Sequence, residues 1–261
     1  MNQPDFLEVN FFDVGQGDSS FIESPGGYQV LIDGGPSSRI LEKLGEEMPF
    51  WDKTIDLIIL SHPDPDHLSG LIDVLKNYKI GLIATNGTVS SRPEFKEFEN
   101  LILKNKISYI TIKKNQRILI GKNISFEILA PLEDFEGREV SDFNSSSIVA
   151  RMVYDKNAFL FTDDTTKSIE KKLAEENIDL SADVLKVAHH GSKTAESEIF
   201  LNAVNPKIAV IQVGLNNQYG HPNQEVLDLL NKYGIKIFRT DKDGDIKIFS
   251  DGENLKFITQ N

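Results

Sequence analysis

The chain has five histidines in 261 residues, and they fall at only three places: His62 with His67, His189 with His190, and His221. Two of these places close apolar runs, Asp56-Leu57-Ile58-Ile59-Leu60-Ser61-His62 and Asp183-Val184-Leu185-Lys186-Val187-Ala188-His189, and the third is a Gly/Pro turn. A strand that runs straight into polar residues sets them at a sheet edge, where loops carry side chains on a rigid base. Two such strands read as a faint duplication, with two half-domains facing each other across one site.

Around these places, β-rich runs alternate with amphipathic helical stretches, an α/β pattern. Strands are predicted at 6–12, 19–22, 28–32, 55–60, 81–84, 124–129, 147–154 and 158–162, then at 184–187, 208–213, 235–239, 246–250 and 255–258. Helices are predicted at 38–47, 68–77, 94–105, 166–176, 196–202 and 224–233. Pro25-Gly26-Gly27, Asp243-Gly244 and Asp251-Gly252 are read as hairpin turns. No linker-like segment interrupts the pattern, so residues 1–261 are read as one domain.

Composition removes several classes. Without cysteine there is no disulfide framework, thiolate nucleophile or zinc-finger ligation. The first residues carry no secretory signal and no apolar run is long enough to span a membrane, so a cytoplasmic protein with no membrane insertion is expected. A net charge of −12 repels a polyanion, so the positive charge that meets a phosphate must be concentrated at one place, as a bound metal would do.

Ser61-His62-Pro63-Asp64-Pro65-Asp66-His67 packs two imidazoles and two carboxylates into six residues. A divalent metal would satisfy all four. The prolines are read as forbidding a helix, so that the ligands fan out from a rigid turn; the plainer alternative is an acidic turn capping the next helix. Asp163 and Asp164 end a strand and either bridge metal ions or cap a helix. His189-His190-Gly191 is a second ligand candidate or a polar loop. Asp33, before Gly34-Gly35, either orients a ligand histidine from behind or serves as a turn aspartate.

Taken in order, seven segments carry a family resemblance. They are Asp13-Val14-Gly15-Gln16-Gly17-Asp18-Ser19, Leu31 to Gly35, Ser61 to His67, Asn144 to Val149, Phe161 to Asp164, Leu185 to Ser192, and Val213-Gly214 through Tyr219-Gly220-His221-Pro222. Together they resemble the metallo-β-lactamase fold superfamily, and within it the soluble hydrolase domain of ComEC-type DNA-uptake proteins. The resemblance runs from residue 8 to about 250. It implies a four-layer αββα sandwich with the site at one edge, where the two halves meet.

It also implies a ligand set. His62 and Asp64, the latter where most relatives have histidine, would hold one metal; Asp66 and His67 would hold the other. Asp164 would bridge, with Asp163 where glycine is usual. His190 is favoured as the late ligand and His189 as its neighbour or a substrate contact, while Asp18 and Asp33 lie outside the ligands. The superfamily's central histidine is missing, and Asn144 lies in that region. One site is then left with His62, Asp64 and Asp164, and the fuller one has Asp66, His67, Asp164 and His190. Two divalent ions are expected, Mn²⁺ first with Zn²⁺ or Mg²⁺ as alternatives, because the oxygen-rich set suits Mn²⁺ or Mg²⁺ better than Zn²⁺.

The function this suggests is hydrolysis of a phosphodiester, DNA or something smaller, by metal-activated water. Asp66 or Asp164 would orient the water or take its proton. Lys186, His189, Ser192 and His221 are candidates to hold phosphate or protonate the leaving group, and Asn144 and Ser147 to contact substrate. Competing readings are a non-catalytic metal-binding regulatory module and a hydrolase of esters, lactones or thioesters. A partner protein that presents DNA stays open, as does oligomeric state. Trp51 is read as packing under the site wall, or else as lining the cleft.

Overall fold

The computed structural model describes residues 6–260. The first half of the chain forms β1 (Leu7–Phe11), β2 (Ser20–Glu23), β3 (Gln29–Ile32), α1 (Arg39–Glu47), β4 (Thr54–Leu60), α2 (Pro65–Asn77), β5 (Lys79–Thr85), α3 (Pro93–Asn105) and β6 (Ser108–Thr111). The second forms β7 (Arg117–Leu119), β8 (Ile124–Ala130), β9 (Val149–Tyr154), β10 (Asn157–Phe161), α4 (Lys167–Glu175), β11 (Val184–Lys186), α5 (Glu198–Val204), β12 (Ile208–Ile211), α6 (Gln224–Lys232) and β13 (Lys236–Arg239). A short α7 (Thr240–Asp243) leads to β14 (Ile246–Ser250) and β15 (Leu255–Thr259).

The strands make two sheets, ordered β15-β14-β1-β2-β3-β4-β5-β6 and β13-β12-β11-β10-β9-β8-β7. The duplication is visible in their pairing. Each sheet has an antiparallel stretch followed by four parallel strands, β3-β4-β5-β6 in one and β10-β11-β12-β13 in the other. β4 and β11, the strands that run into histidine, hold the same place in each set, and so do β3 and β10, which run into Asp33 and into Asp163-Asp164.

The period-two alternation of strands separates the apolar residues into three layers. Val30, Ile32, Leu57 and Ile59 of one sheet share a core with Phe159, Phe161 and Val184 of the other. Leu31, Ile58 and Leu60 point the opposite way, onto α1, α2 and α3 through Ile40, Leu71 and Phe98. Leu160, Leu185 and Ile211 pack likewise against Leu173, Phe200 and Leu230 of α4, α5 and α6. Helices therefore cover both outer faces, giving the αββα order.

Several expectations need correction. α2 begins at Pro65 rather than Leu68, because proline in the first turn lacks only an N–H that would be unpaired anyway. Asp66 and His67 therefore sit on a helix rather than on a free turn. Asp243-Gly244 makes no hairpin: α7 carries the chain there from β13 in one sheet to β14 in the other. α5 starts at Glu198, since Glu196 takes a left-handed conformation with φ of 59°. The short edge strands β6 and β7 were not expected. Trp51 is 63% exposed and meets Phe50, itself 84% exposed, edge to face, so it does not pack under the site wall.

Candidate active site

The polar residues gather at the ends of β3, β4, β10 and β11 and at the start of α2. Glycines let these segments approach closely. Gly34 N donates to the His67 carbonyl at 2.7 Å and Gly70 N to the Gly35 carbonyl at 2.9 Å. A Cβ on Gly70 would lie 1.9 Å from the Gly34 oxygen, so α2 can dock here only with glycine at that position. This docking brings Asp66 and His67 to the ends of the strands.

Three imidazoles are each fixed through Nδ1. His67 Nδ1 donates to Asp33 Oδ2 at 2.7 Å. His62 Nδ1 donates to Ser61 Oγ at 2.9 Å, and Ser61 Oγ donates onward to Asp33 Oδ2 at 2.6 Å. Asp33 Oδ1 accepts the Ser61 amide at 2.8 Å, so this buried carboxylate anchors both histidines. His190 Nδ1 donates to the Gln212 carbonyl at 2.9 Å. Tying Nδ1 leaves Nε2 of each ring as the ligand atom.

Those Nε2 atoms converge. His67 Nε2 lies 3.4 Å from Asp164 Oδ1, and His190 Nε2 lies 3.3 Å from Asp66 Oδ2 and 3.8 Å from Asp164 Oδ1. His62 Nε2 lies 3.6 Å from Asp64 Oδ2, and the His62 and His67 rings are 4.1 Å apart. Donor atoms of Asp18, His67, Asp164 and His190 all lie within 4.8 Å of one another, and those of Asp33, His67 and Asp163 do likewise. His62 Nε2, His67 Nε2 and Asp164 Oδ1 are buried without a hydrogen-bond partner, while Asp18 Oδ1 lies 3.1 Å from His190 Nδ1, behind that ring's ligand atom. Buried polar atoms normally have one, so the orphaned His67 Nε2 and Asp164 Oδ1, 3.4 Å apart, fit a cation between them.

The electrostatics agree with that fit. Burial opposes charge on His190, yet Asp164 and then Asp18 outweigh it and hold the ring up to about 10. Burial likewise opposes charge on His67, which Asp164 and Asp33 push well above its usual value. Burial, then the neighbouring His67, hold His62 down to about 3. A metal ion would supply the positive charge that protons supply on His67 and His190. Burial, then Asp33, raise Asp163 well above the usual carboxylate value.

The remaining sequence candidates divide into two groups. Asn144, His189 and His221 face the open side: Asn144 Nδ2 is 3.4 Å from His189 Nδ1, His189 Nε2 is 3.8 Å from Asp164 Oδ2, and the His189 and His221 rings are 5.7 Å apart. His189 and His190 both have left-handed backbones, at φ of 49° and 54°, which points the adjacent rings to different partners. Lys186, expected as a phosphate or proton-transfer group, is fully buried in an ion pair with Asp18 and is closed to substrate. Ser147 is buried, and Ser192 is turned toward Thr194, its Oγ 3.0 Å from Thr194 Oγ1.

Ser61, Gln212, Tyr219 and Arg92 belong to the site without having been singled out. Gln212 links the sheets: it accepts from Ser20 Oγ and donates to the Ser19 and Phe12 carbonyls. Tyr219 stacks on His221 at 5.7 Å. Arg92 pairs with Asp64.

The model of the metallo-beta-lactamase superfamily matches residues 12–214. The chain belongs to the metallo-beta-lactamase superfamily. Among curated proteins, this superfamily member is similar to ComE operon protein 3 of Bacillus subtilis, with 34% identity over 257 residues, covering 92% of this chain and 32% of that protein. Competence protein ComA of Neisseria gonorrhoeae is 33% identical over 193 residues, 74% of this chain and 25% of that one. The chain thus spans about a third or less of the curated relatives it matches. Among solved structures, the metallo-beta-lactamase fold protein YhfI from Bacillus subtilis has TM-score 0.60 and 14% identity, covering 89% of this chain and 96% of that one. That likeness confirms the fold expected from the motifs. The superfamily fold and the His/Asp cluster indicate a divalent metal site of the metal-dependent hydrolase type. No helix among the described residues is long and apolar enough to cross a membrane.

Proposed function

We propose that this chain is a single-domain metal-dependent phosphodiesterase with two divalent ions, acting on DNA or a smaller phosphodiester. One observation carries the reading: three histidines fixed through Nδ1 turn Nε2 toward Asp64, Asp66 and Asp164, and the buried Asp164 Oδ1 lacks a partner. His67, His190, Asp66 and Asp164 would hold one ion, with Asp18 beside them, and His62, Asp64 and Asp164 the other. Carboxylate oxygens outnumber the three imidazoles, which favours Mn²⁺. The name of the Neisseria gonorrhoeae relative, a competence protein, supports a nucleic-acid phosphodiester as substrate.

When bound, the ions would supply an ionised water nucleophile and neutralise phosphoryl charge. The protein residues do the rest. Asp164 is kept ionised because His190 and His67 outweigh the opposing effect of burial. Asp66, partly exposed beside His190, would orient the attacking water or accept its proton. His189, partly exposed and supported by Asn144 and Thr194, would pass a proton to the leaving oxygen. His221 and Tyr219 form the aromatic side of the mouth.

The test compares turnover of single-stranded DNA and small phosphodiesters with turnover of lactones, thioesters and carboxylic esters, with Mn²⁺ and after chelation. Phosphodiester turnover that is lost on chelation supports the reading. Turnover of carboxylic esters alone would replace it.

A further inference from the structure

Arg92 occupies a position that the reading above does not use. It immediately precedes Pro93, the first residue of α3. Its Nη1 donates to Asp64 Oδ1, and its guanidinium carbon lies 5.2 Å from the centroid of the Phe143 ring. These two contacts come from segments of different sheets, since Asp64 follows β4 and Phe143 precedes β9. The cation is therefore held in place at the mouth, yet its side chain is 45% exposed. A guanidinium has five N–H donors, and among the described residues the bond to Asp64 is the one hydrogen bond that Arg92 makes through its side chain.

Asp64 divides its oxygens. Oδ1 lies under Arg92, while Oδ2 faces His62 Nε2 at 3.6 Å. Arg92 can thus stay on Oδ1 while Oδ2 faces His62, and its other N–H groups carry no hydrogen bond among the described residues. The surroundings are strongly acidic: Asp18, Asp33, Asp64, Asp66, Asp163 and Asp164 gather here in a chain of net charge −12. Lys186 offers no relief, because Asp18 occupies it within the core.

We propose that Arg92 is a substrate-binding residue that clamps a non-bridging oxygen of the phosphodiester through its free N–H edge while remaining paired to Asp64. This rests on the phosphodiesterase reading and sharpens it, because the clamp favours an anionic ester and offers little to a neutral lactone or thioester. A planar cation pre-organised by a carboxylate and an aromatic face suits such an oxyanion, and lysine at the same place would be a point charge without the fork.

The test uses Arg92→Met and Arg92→Lys in the full chain loaded with Mn²⁺. Binding of a fluorescent single-stranded phosphorothioate oligonucleotide is followed by anisotropy, and Mn²⁺ content by elemental analysis. Arg92→Met is expected to bind the oligonucleotide about 10- to 100-fold more weakly with unchanged Mn²⁺ content, the loss of one charge-assisted contact. Arg92→Lys should recover part of it. Wild-type oligonucleotide affinity in Arg92→Met would overturn the proposal. So would loss of Mn²⁺ in Arg92→Met to the extent seen in Asp64→Asn, which would reduce Arg92 to a support for Asp64. If the wild type turns over no phosphodiester, the functional reading fails, and the anisotropy still decides the clamp by itself.

Discussion

Lys186 Nζ is ion-paired with Asp18 Oδ2, joining β11 of the seven-stranded sheet to the β1–β2 loop of the eight-stranded sheet, 168 residues away in sequence. Both side chains are buried, and Lys186 also donates to the Asp163 carbonyl at 3.2 Å. Burial opposes ionisation of Asp18, but Lys186 and then His190 hold its carboxyl below the usual range. Lys186→Met would leave a buried carboxylate without its main partner, a change that costs about 3–5 kcal/mol. Urea denaturation should show that loss, and Asp18→Asn in the same chain should restore much of it. A single variant as stable as wild type would contradict the buried pair.

Asp33 makes no close approach to the open side of the site, yet it accepts from His67 Nδ1, Ser61 Oγ and the Ser61 amide. Asp33→Ala should weaken metal affinity about 10- to 100-fold, the usual effect of removing a group that fixes a ligand histidine. Competition with a chromophoric chelator measures this directly. Unchanged affinity would show that His67 is oriented by other contacts.

Glu196 provides a pH dependence away from the metal donors. Burial, then the neighbouring Glu170, raise it from 4.5 to about 8. The folded state therefore binds a proton that the unfolded chain releases near its ordinary value. Its contribution is fully present below pH 4.5 and fades as the pH rises through about 8. Glu196→Gln keeps an acceptor for the Ala188 amide, which Oε1 accepts at 3.2 Å. The variant should raise the denaturation midpoint at pH 9 and change it less at pH 5; equal effects at both would contradict the assignment.

Gly70→Ala places a methyl group against the Gly34 and Ser37 carbonyls, at 1.9 and 2.7 Å before relaxation. Because both obstacles are backbone, α2 must shift, at a cost of about 1–3 kcal/mol or more. Asp66 and His67 ride on that helix, so metal affinity should fall together with thermal stability. A stable variant with weakened metal binding would also show that α2 docking sets the ligand positions, whereas no change in either quantity would contradict the close approach.

Much of this arrangement could be read from local chemistry. Apolar runs ending in His62 and His189 mark strand ends, and these are the equivalent strands β4 and β11. Lys186 could not be placed by the same means. A lysine inside the apolar run 184–188 reads as a cation free to meet phosphate until its partner is known, and Asp18 lies 168 residues away. Gln212 and Arg92 carry no local signal for the same reason, since their partners Ser20 and Asp64 are adjacent only in space. Pro65 misled because proline forbids the interior of a helix but suits its first turn. The strands β6 and β7 are short and mostly exposed, so no apolar alternation marks them.

The central claim is that Asp164 stands in a metal centre that cleaves phosphodiesters. Cleavage of single- and double-stranded DNA with added Mn²⁺, comparing wild type with Asp164→Asn, tests it most directly. Metal-dependent cutting by wild type, abolished in a folded Asp164→Asn protein, is the predicted result. Cutting that survives in the variant would remove Asp164 from the centre, and no cutting by a wild-type protein with Mn²⁺ confirmed bound would remove DNA as the substrate.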